Sequence, residues 1–173
     1  MPMTKESSSR GAVTVRDARD DDADGIIALI GAVYAEYPGC ILDVDREEPE
    51  LRAVATHYAP PDARFWVAED AGRIVGCIGC RAHGDVVDLK KLYLAKGRRG
   101  SGLAGTLYGL VMDEARRRGA AAIELWSDTR FERAHRFYEK LGYVRGKETR
   151  DLHDLSVTTE YFFRLTLARP ATQ

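Results

Sequence analysis

A short, basic, glycine-rich segment between a strand and a helix constrains the fold of this chain more than any other feature. The segment runs from Lys96 to Gly105 and reads KGRRGSGLAG. Glycines let the backbone approach a ligand closely, and the free N–H groups at the start of a helix favour an anion. Lys96, Arg98 and Arg99 add positive charge. The segment therefore predicts a binding site for phosphate or pyrophosphate.

Two other phosphate-binding patterns fit this segment poorly. Gly100-x-Gly102-x-x-Gly105 has the spacing of the dinucleotide fingerprint, and Asp128 lies at a suitable distance downstream. That fingerprint usually abuts the end of its strand, whereas a basic loop separates the strand from the glycines here. The chain contains no Gly-x-x-x-x-Gly-Lys-Ser/Thr sequence, which argues against a nucleoside triphosphate loop.

The pattern of apolar residues predicts the element order β-α-α-β-β-β-α-β-α-β-β. Strands are expected at Val13–Arg16, Phe65–Ala68, Ile74–Cys80, Val86–Leu94, Ala122–Trp126, Tyr143–Arg145 and Glu160–Leu167. Helical spacing predicts helices near residues 26–34, 49–57, 103–115 and 134–141. Short turns between the second, third and fourth strands indicate an antiparallel meander. The sequence thus predicts an α/β (α+β) fold with a mixed, mostly antiparallel central sheet flanked by helices.

Length and charge limit the class of protein. The 173 residues predict a single domain over residues 13–168, with a disordered leader at 1–12 and a tail at 169–173. Lys and Arg number 26 against 27 Asp and Glu, so the basic excess typical of nucleic-acid binders is absent. The chain lacks both a membrane-length apolar run and the apolar stretch of a secretory signal. We therefore expect a cytoplasmic protein without nucleic-acid or membrane partners.

The cysteines predict neither a disulfide framework nor a metal site. Cys40, Cys77 and Cys80 are an odd, low number, which suits a reducing compartment. Cys77 and Cys80 have metal-like spacing, but residues three apart in a strand face opposite sides of the sheet. We therefore interpret them as buried structural thiols.

The glycine-rich segment resembles a signature of one enzyme family. Arg99-x-x-Gly102-x-Ala104 is similar to the Arg/Gln-x-x-Gly-x-Gly/Ala motif of the Gcn5-related N-acetyltransferases (GNAT). In that family the loop binds the pyrophosphate of acetyl-coenzyme A (acetyl-CoA). The element order also agrees with the family from about Val13 to Leu167.

Two further segments carry the same resemblance. Leu92-Tyr93-Leu94 falls where the family has its bulged fourth strand. The segment 134–143, AHRFYEKLGY, is similar to the family's helix–strand ending, Ala-x-x-(Phe/Leu)-Tyr-Glu-x-x-Gly-(Phe/Tyr). The two signatures also have the family's mutual spacing. The resemblance implies the acyl-CoA N-acyltransferase fold.

The resemblance also implies the reaction. The family transfers acetyl from acetyl-CoA, a co-substrate, to a primary amine by direct attack, without a metal. The acceptor could be a small polyamine, an aminoglycoside-like molecule, an amino acid or a protein lysine, and the sequence does not choose among them. A homodimer is also possible. The alternative function is a non-catalytic acyl-CoA-binding or sensor domain.

The family's cofactor contacts map onto the strand, the loop and the start of the helix. The implied cofactor-binding residues are Leu92, Tyr93, Leu94, Arg98, Arg99, Gly100, Ser101, Gly102, Leu103, Ala104 and Gly105. Pantetheine would pair with Leu92 and Leu94, and a backbone N–H near Leu94 would bind the thioester oxygen. Many relatives carry Asn where this chain has Phe131, so Ser127 or Thr129 is the expected replacement contact.

The implied catalytic residues are Tyr138 and Asp88. Tyr138 occupies the position from which relatives protonate the leaving thiolate; the competing interpretation is a core aromatic. Asp88 lies on the strand where some relatives carry a Glu near the substrate, and it is the first candidate for general base. His153 and Glu36 are weaker candidates for that role.

An acidic segment lies between the first two predicted helices. From Glu36 to Glu50 the carboxylates outnumber the one basic residue, Arg46. The carboxylates are Glu36, Asp43, Asp45, Glu47, Glu48 and Glu50. In the family this region borders the acceptor site, so we expect an acidic rim that attracts a cationic amine; the alternative is a solvated loop.

Overall fold

Seven strands form one sheet in the computed structural model, which describes residues 12–168. The strands are β1 (Thr14–Asp17), β2 (Ala63–Asp70), β3 (Arg73–His83), β4 (Val86–Leu94), β5 (Ala122–Asp128), β6 (Val144–Asp151) and β7 (Thr159–Thr166). The α-helices are α1 (Ala23–Tyr34), α2 (Val44–Glu47), α3 (Val54–His57), α4 (Leu103–Arg117) and α5 (Glu132–Lys140). Among the described residues, none of the helices combines the length and apolar composition that a membrane span requires.

The sheet has the order β1-β2-β3-β4-β5-β7-β6, and only the β4–β5 pair is parallel. The predicted mixed, mostly antiparallel sheet flanked by helices is therefore confirmed. The parallel pairing is short, because Val86–Asp88 alone lie opposite residues of β5, namely 122–124. Beyond this point the two strands no longer pair, and a cleft opens between the end of β4 and the end of β5.

Two hydrophobic clusters cover the two faces of the sheet. Helices α4 and α5 pack on one face, around Leu107, Ile123 and Phe163. Helix α1 and the segment 51–58 pack on the other face, around Ile26 and Leu51. Side chains that alternate along a strand reach opposite faces, and β2, β3 and β4 accordingly contribute to both clusters, whereas β5 and β7 contribute only to the cluster beneath α4 and α5.

Strand β3 illustrates this alternation with its two cysteines. Cys77 belongs to the cluster beneath α1, whereas Cys80 belongs to the cluster beneath α4. Both thiols are buried, and burial raises the pKa of each. The expectation that the two cysteines face opposite sides of the sheet is thus confirmed.

A β-bulge interrupts β4 at Lys91. The register between β3 and β4 shifts after Cys77, and Lys91 adopts the left-handed conformation with φ +54°. The Cys77 thiol donates to the Lys91 carbonyl oxygen at 3.2 Å. A lysine in this conformation is uncommon, so the surrounding contacts must hold the bulge in place.

Two elements differ from their sequence prediction. The expected helix near residues 49–57 is divided into a 3₁₀-turn, Pro49–Arg52, and the short α3, while α2 precedes both. Strand β6 runs to Asp151 rather than ending at Arg145. Most of β6 is solvent-exposed at the edge of the sheet. An edge strand of this kind carries no alternating apolar pattern that could reveal its length.

Two glycines test the packing of the sheet and of α4 separately. A methyl group at Gly79 would lie 2.7 Å from the ring of Phe65, whereas nothing in the described chain lies within 4 Å of one at Gly109. We expect Gly79→Ala to lower the free energy of unfolding by about 1–3 kcal/mol through overpacking. Gly109→Ala should raise it by about 0.5–1 kcal/mol because alanine is favoured inside a helix. Urea denaturation measures both; a Gly79→Ala variant as stable as the parent would contradict the packing argument.

Candidate active site

Two cavities flank the point where β4 and β5 separate. One has a volume of about 390 Å³ and the other about 470 Å³. Leu92, Tyr93, Phe131 and Ala134 border both cavities. The two spaces therefore meet at the end of the parallel strand pair.

The smaller cavity, here called the basic groove, lies between the end of β4, the glycine-rich loop and α5. Its basic side chains are Arg99, Arg133, Arg136 and Lys140, and no carboxylate lines it within residues 12–168. Apolar side chains, including Leu92, Leu94 and Phe137, form the rest of its wall. An elongated ligand with an apolar arm and anionic groups matches this lining.

The structure brings most of the predicted cofactor residues into this groove. Those in its wall are Leu92, Tyr93, Leu94, Arg99, Gly100, Gly102 and Ala104. Arg98, Ser101, Leu103 and Gly105 lie outside the wall. Arg98 forms an ion pair with Asp70, Ser101 donates to the Arg98 carbonyl at 2.5 Å, and Leu103 is buried in the core.

The loop presents backbone N–H groups at the start of α4. Gly100 and Gly102 have positive φ values of +72° and +85°, which glycine adopts without steric cost. Helix α4 begins at Leu103, and the first N–H groups of a helix have no partner inside it. Together with the helix dipole, these donors suit a phosphate group.

Arg99 connects this loop to the end of α1. Its guanidinium donates to both carboxylate oxygens of Glu36, at 2.7 and 2.8 Å. This contact holds the pKa of Glu36 below its usual range. Glu36, a weaker candidate for general base, therefore lies beside the loop and not in the larger cavity.

The larger cavity, here called the acidic cavity, lies over β4, β5 and β7. Seven carboxylates line it, from Glu47, Glu48, Glu50, Asp88, Asp128, Asp154 and Glu160. Four basic side chains oppose them, from Arg81, Lys90, Lys91 and Arg150, which leaves an excess of three negative charges. The cavity therefore favours a cationic ligand.

The acidic segment contributes only part of this lining. Glu47, Glu48 and Glu50 reach the cavity. Asp43 instead accepts the Arg46 N–H at 3.1 Å, and Asp45 forms an exposed ion pair with a neighbouring arginine. Of the six carboxylates of the predicted acidic rim, only these three glutamates line the cavity.

Asp88 differs from the other carboxylates of the cavity. The remaining six accept a hydrogen bond or form an ion pair: Glu47 with Leu155 N–H, Glu48 and Glu50 with Lys91, Asp128 with Arg130, Asp154 with Thr158 and Glu160 with Arg150. The half-buried Asp88 carboxylate has no such partner among residues 12–168. It is therefore the carboxylate most available to a ligand.

A partly buried ionic network holds the bulge of β4. The Lys91 ammonium pairs with Glu48, and it lies 3.2 Å from Glu50. The Tyr34 hydroxyl donates to Glu48 at 3.1 Å and lies 3.4 Å from the Tyr93 hydroxyl. Burial alone would lower the pKa of Lys91, but the two carboxylates outweigh it and raise that pKa. Lys91 thus stays charged and ties the bulge to the segment after α2.

Tyr138 lies at the inner end of the acidic cavity. Its ring is buried against Tyr143 and Phe163, with centroid distances of 5.6 and 5.8 Å. The side chain lines the cavity, and its hydroxyl has no hydrogen-bond partner within the described chain. Burial raises the pKa of Tyr138, so the phenol remains protonated at neutral pH. Tyr138 is therefore both a core aromatic and an available proton donor.

Phe131 belongs to an aromatic cluster at the junction of the two cavities. Its ring centroid lies 4.8 Å from that of Tyr37 and 6.1 Å from that of Tyr34. Neither Ser127 nor Thr129, the expected replacements for that asparagine, lies in the wall of the basic groove. Ser127 instead faces the acidic cavity, with its hydroxyl 3.1 Å from the buried His135 ring.

Sequence reasoning missed the basic side of the groove on α5. Arg133, Arg136 and Lys140 are spaced three and four residues apart, which places them on one helical face. That spacing was the available signal. His153, a weaker candidate for general base, is exposed and lies outside both cavities.

Comparison with known proteins agrees with this geometry. The family model described as acetyltransferase (GNAT) family matches residues 29–143. The N-acetyltransferase YjgM of Escherichia coli is 31% identical over 130 residues, which cover 70% of this chain and 76% of that protein. The N-acetylaspartate synthetase of Danio rerio is 31% identical over 121 residues, but the chain spans only 42% of its length.

Solved structures share the fold. A GNAT-family acetyltransferase from Staphylococcus aureus superimposes with a TM-score of 0.77 at 23% identity, covering 91% of this chain and 100% of that one. The YncA acetyltransferase of Salmonella typhimurium, solved with acetyl-CoA, has a TM-score of 0.66 at 18% identity and covers 94% of this chain and 98% of its own.

The fold and the paired cavities define an acetyl-CoA-dependent N-acetyltransferase. The chain belongs to the GNAT family of acetyltransferases. Acetyl-CoA is its co-substrate, and the basic groove has the donors and the apolar wall that this molecule requires.

Charge at the glycine-rich loop tests the phosphate site. We expect Gly102→Asp to weaken acetyl-CoA binding at least tenfold, about 1.4 kcal/mol, because a carboxylate would face the pyrophosphate. Gly102→Asn is the matched control, since it has the same size and tolerates positive φ without the charge. Titration calorimetry measures both affinities. Equal acetyl-CoA affinities for the Asp and Asn variants would contradict the prediction that negative charge at position 102 repels the pyrophosphate.

Proposed function

We propose that this acetyltransferase acts on the primary amine of a cationic acceptor that enters the acidic cavity. The observation that carries the proposal is the excess of three negative charges in the cavity lining. Fixed negative charge in a cleft raises the local concentration of a cation and lowers the cost of orienting it. The catalytic unit of this proposal is the domain predicted over residues 13–168.

Asp88 is the proposed general base. An alkyl ammonium with a pKa of about 10.4 must lose a proton before it can attack, which costs about 4–5 kcal/mol at pH 7. The unpartnered Asp88 carboxylate, on the wall of the cavity, is free to accept that proton directly or through one water. The paired carboxylates would first have to give up an existing contact.

Tyr138 is the proposed general acid. Acetyl-CoA supplies the activated acetyl group, and its sulfur needs a proton when the thiolate leaves. The buried, protonated and unpartnered phenol of Tyr138, in the wall of the acidic cavity, meets that need. Backbone N–H groups near Leu94, after the bulge, are proposed to bind the thioester oxygen as charge develops on it.

The basic groove is proposed to hold acetyl-CoA along its length. Leu92 and Leu94 would pair with pantetheine, and the loop from Arg98 to Gly105 would receive the pyrophosphate. Three residues of α5 provide additional positive charge for the remaining phosphate. They are Arg133, Arg136 and Lys140.

An amino acid is the second candidate acceptor. The chain matches N-acetylaspartate synthetases, whose acceptor carries carboxylates. Lys90 lines the acidic cavity and has no ion-pair partner among residues 12–168, so it is available to an acceptor carboxylate. Parallel assays with putrescine and aspartate distinguish the two classes, since only the first matches the net charge of the cavity.

The two proposed catalytic residues should affect turnover and not cofactor binding. Asp88→Asn and Tyr138→Phe keep the side-chain size but remove the base and the acid. We expect each to lower kcat by about 10²-fold with an accepted amine, because proton transfer typically contributes that much. Acetyl-CoA affinity, measured by calorimetry, should change less than about twofold.

These two variants also separate catalysis from stability. Thermal melting of each variant should match the parent, because neither hydrophilic group has a partner that would be orphaned. A Tyr138→Phe enzyme with full kcat at saturating substrates would make Tyr138 a core aromatic only. Full activity of Asp88→Asn would show that a group other than Asp88 is the general base.

The charge of the cavity is tested at Glu47. Glu47→Gln keeps an oxygen for the Leu155 N–H, which Glu47 accepts at 2.8 Å, and removes one negative charge. We expect the KM for putrescine to rise about two- to fivefold, the effect of one partly exposed charge. Asp113→Asn is the control, because Asp113 is exposed on α4 and lies outside the lining of the acidic cavity. Equal KM values in all three enzymes would contradict electrostatic attraction of the acceptor.

A further inference from the structure

Exposed apolar side chains concentrate at the mouth of the acidic cavity. Five large hydrophobic side chains of the described residues are exposed, and four of them belong to two neighbouring segments. We call these four the apolar rim: Ile41, Leu152, Leu155 and Val157. The fifth, Val144, lies on β6. Isolated exposed hydrophobics are ordinary, but a cluster of them marks a binding surface.

Specific hydrogen bonds hold the two segments of the rim together. The Ile41 N–H donates to the Ser156 hydroxyl oxygen at 2.8 Å, and that hydroxyl donates back to the Ile41 carbonyl at 3.1 Å. The Leu155 N–H donates to the Glu47 carboxylate at 2.8 Å. The apolar rim is therefore built on a fixed frame that includes an acidic residue of the cavity.

The loop between β6 and β7 keeps its shape against local preference. Val157 has φ +49°, a rare conformation for a β-branched residue, and its side chain is 84% exposed. The Asp154 carboxylate accepts from the N–H and the hydroxyl of Thr158, each at 2.7 Å, which secures the turn. Strain held in this way at the edge of a site points to a role in binding.

The rim is continuous with the acidic cavity. Ile41 and Leu152 line the cavity and are also 49% and 43% exposed. A ligand whose ammonium lies inside, near Asp88, would extend outward over these side chains. We propose that the acceptor is an amphiphilic amine, whose cationic head enters the acidic cavity and whose apolar body covers the rim. This inference rests on the proposed acetylation of a primary amine in that cavity.

Two amines of equal length test the inference. In n-heptylamine every chain atom beyond the nitrogen is carbon, whereas methoxyethoxyethylamine has two ether oxygens in a chain of the same length. We expect the parent enzyme to show at least about tenfold higher kcat/KM with n-heptylamine, because each buried methylene is worth roughly fourfold. Ile41→Ser combined with Leu152→Ser should reduce this ratio to below about threefold.

Val144→Ser is the matched control, because it removes an exposed apolar side chain away from the rim and should leave the ratio unchanged. Equal kcat/KM for both amines in the parent would overturn the amphiphilic acceptor while leaving amine acetylation intact. If neither amine nor putrescine is acetylated although acetyl-CoA binds, the proposed amine acceptor fails, and the inference fails with it. Sedimentation velocity tests a different occupant of the rim. If the parent is a dimer that dissociates in the double variant, and the ratio of kcat/KM for the two amines is unchanged, the rim binds a second copy of the chain and the inference fails.

Discussion

The site depends on the early separation of two parallel strands. Parallel strands in a sheet normally stay paired along their length, but β4 and β5 pair over three residues and then diverge. The bulge at Lys91 changes the course of β4 just where the pairing has ended. Both cavities open at this divergence, so a single interruption of strand pairing produces the groove proposed for acetyl-CoA and the cavity proposed for its acceptor.

Opposite charges lie on the two sides of this opening. The groove contains basic side chains without a described carboxylate, and the acidic cavity has a net negative lining. In the proposed function, two substrates of opposite charge are therefore directed to different cavities, which share Leu92, Tyr93, Phe131 and Ala134 as bordering residues. The pair Lys91 and Glu48 lies in the wall of the acidic cavity, where its two opposite charges cancel and leave the net charge to the other carboxylates.

The bulge shows how stability and function are coupled here. Lys91 adopts an unfavourable backbone conformation and partly buries an ammonium group, and each of these features alone is costly. The paired carboxylates of Glu48 and Glu50 offset that cost, and the Cys77 thiol contacts the Lys91 carbonyl. The acidic segment thus has two functions, because some of its charges maintain the bulge while Glu47 supports the apolar rim.

The sequence by itself determined the order of the seven strands, the family and the position of the glycine-rich loop. Those features are local, because the glycines and charges of a loop are adjacent in sequence and the spacing of apolar residues identifies a helix or strand. It also identified Tyr138 and Asp88 as candidates, although their roles remain proposals. Only the tertiary structure decided which charges face the cavities, since the partners of Lys91, Glu36 and Glu47 lie 43, 63 and 108 residues away. A contact across such a distance leaves no periodic pattern in the chain, because its geometry is set by how the sheet brings the segments together.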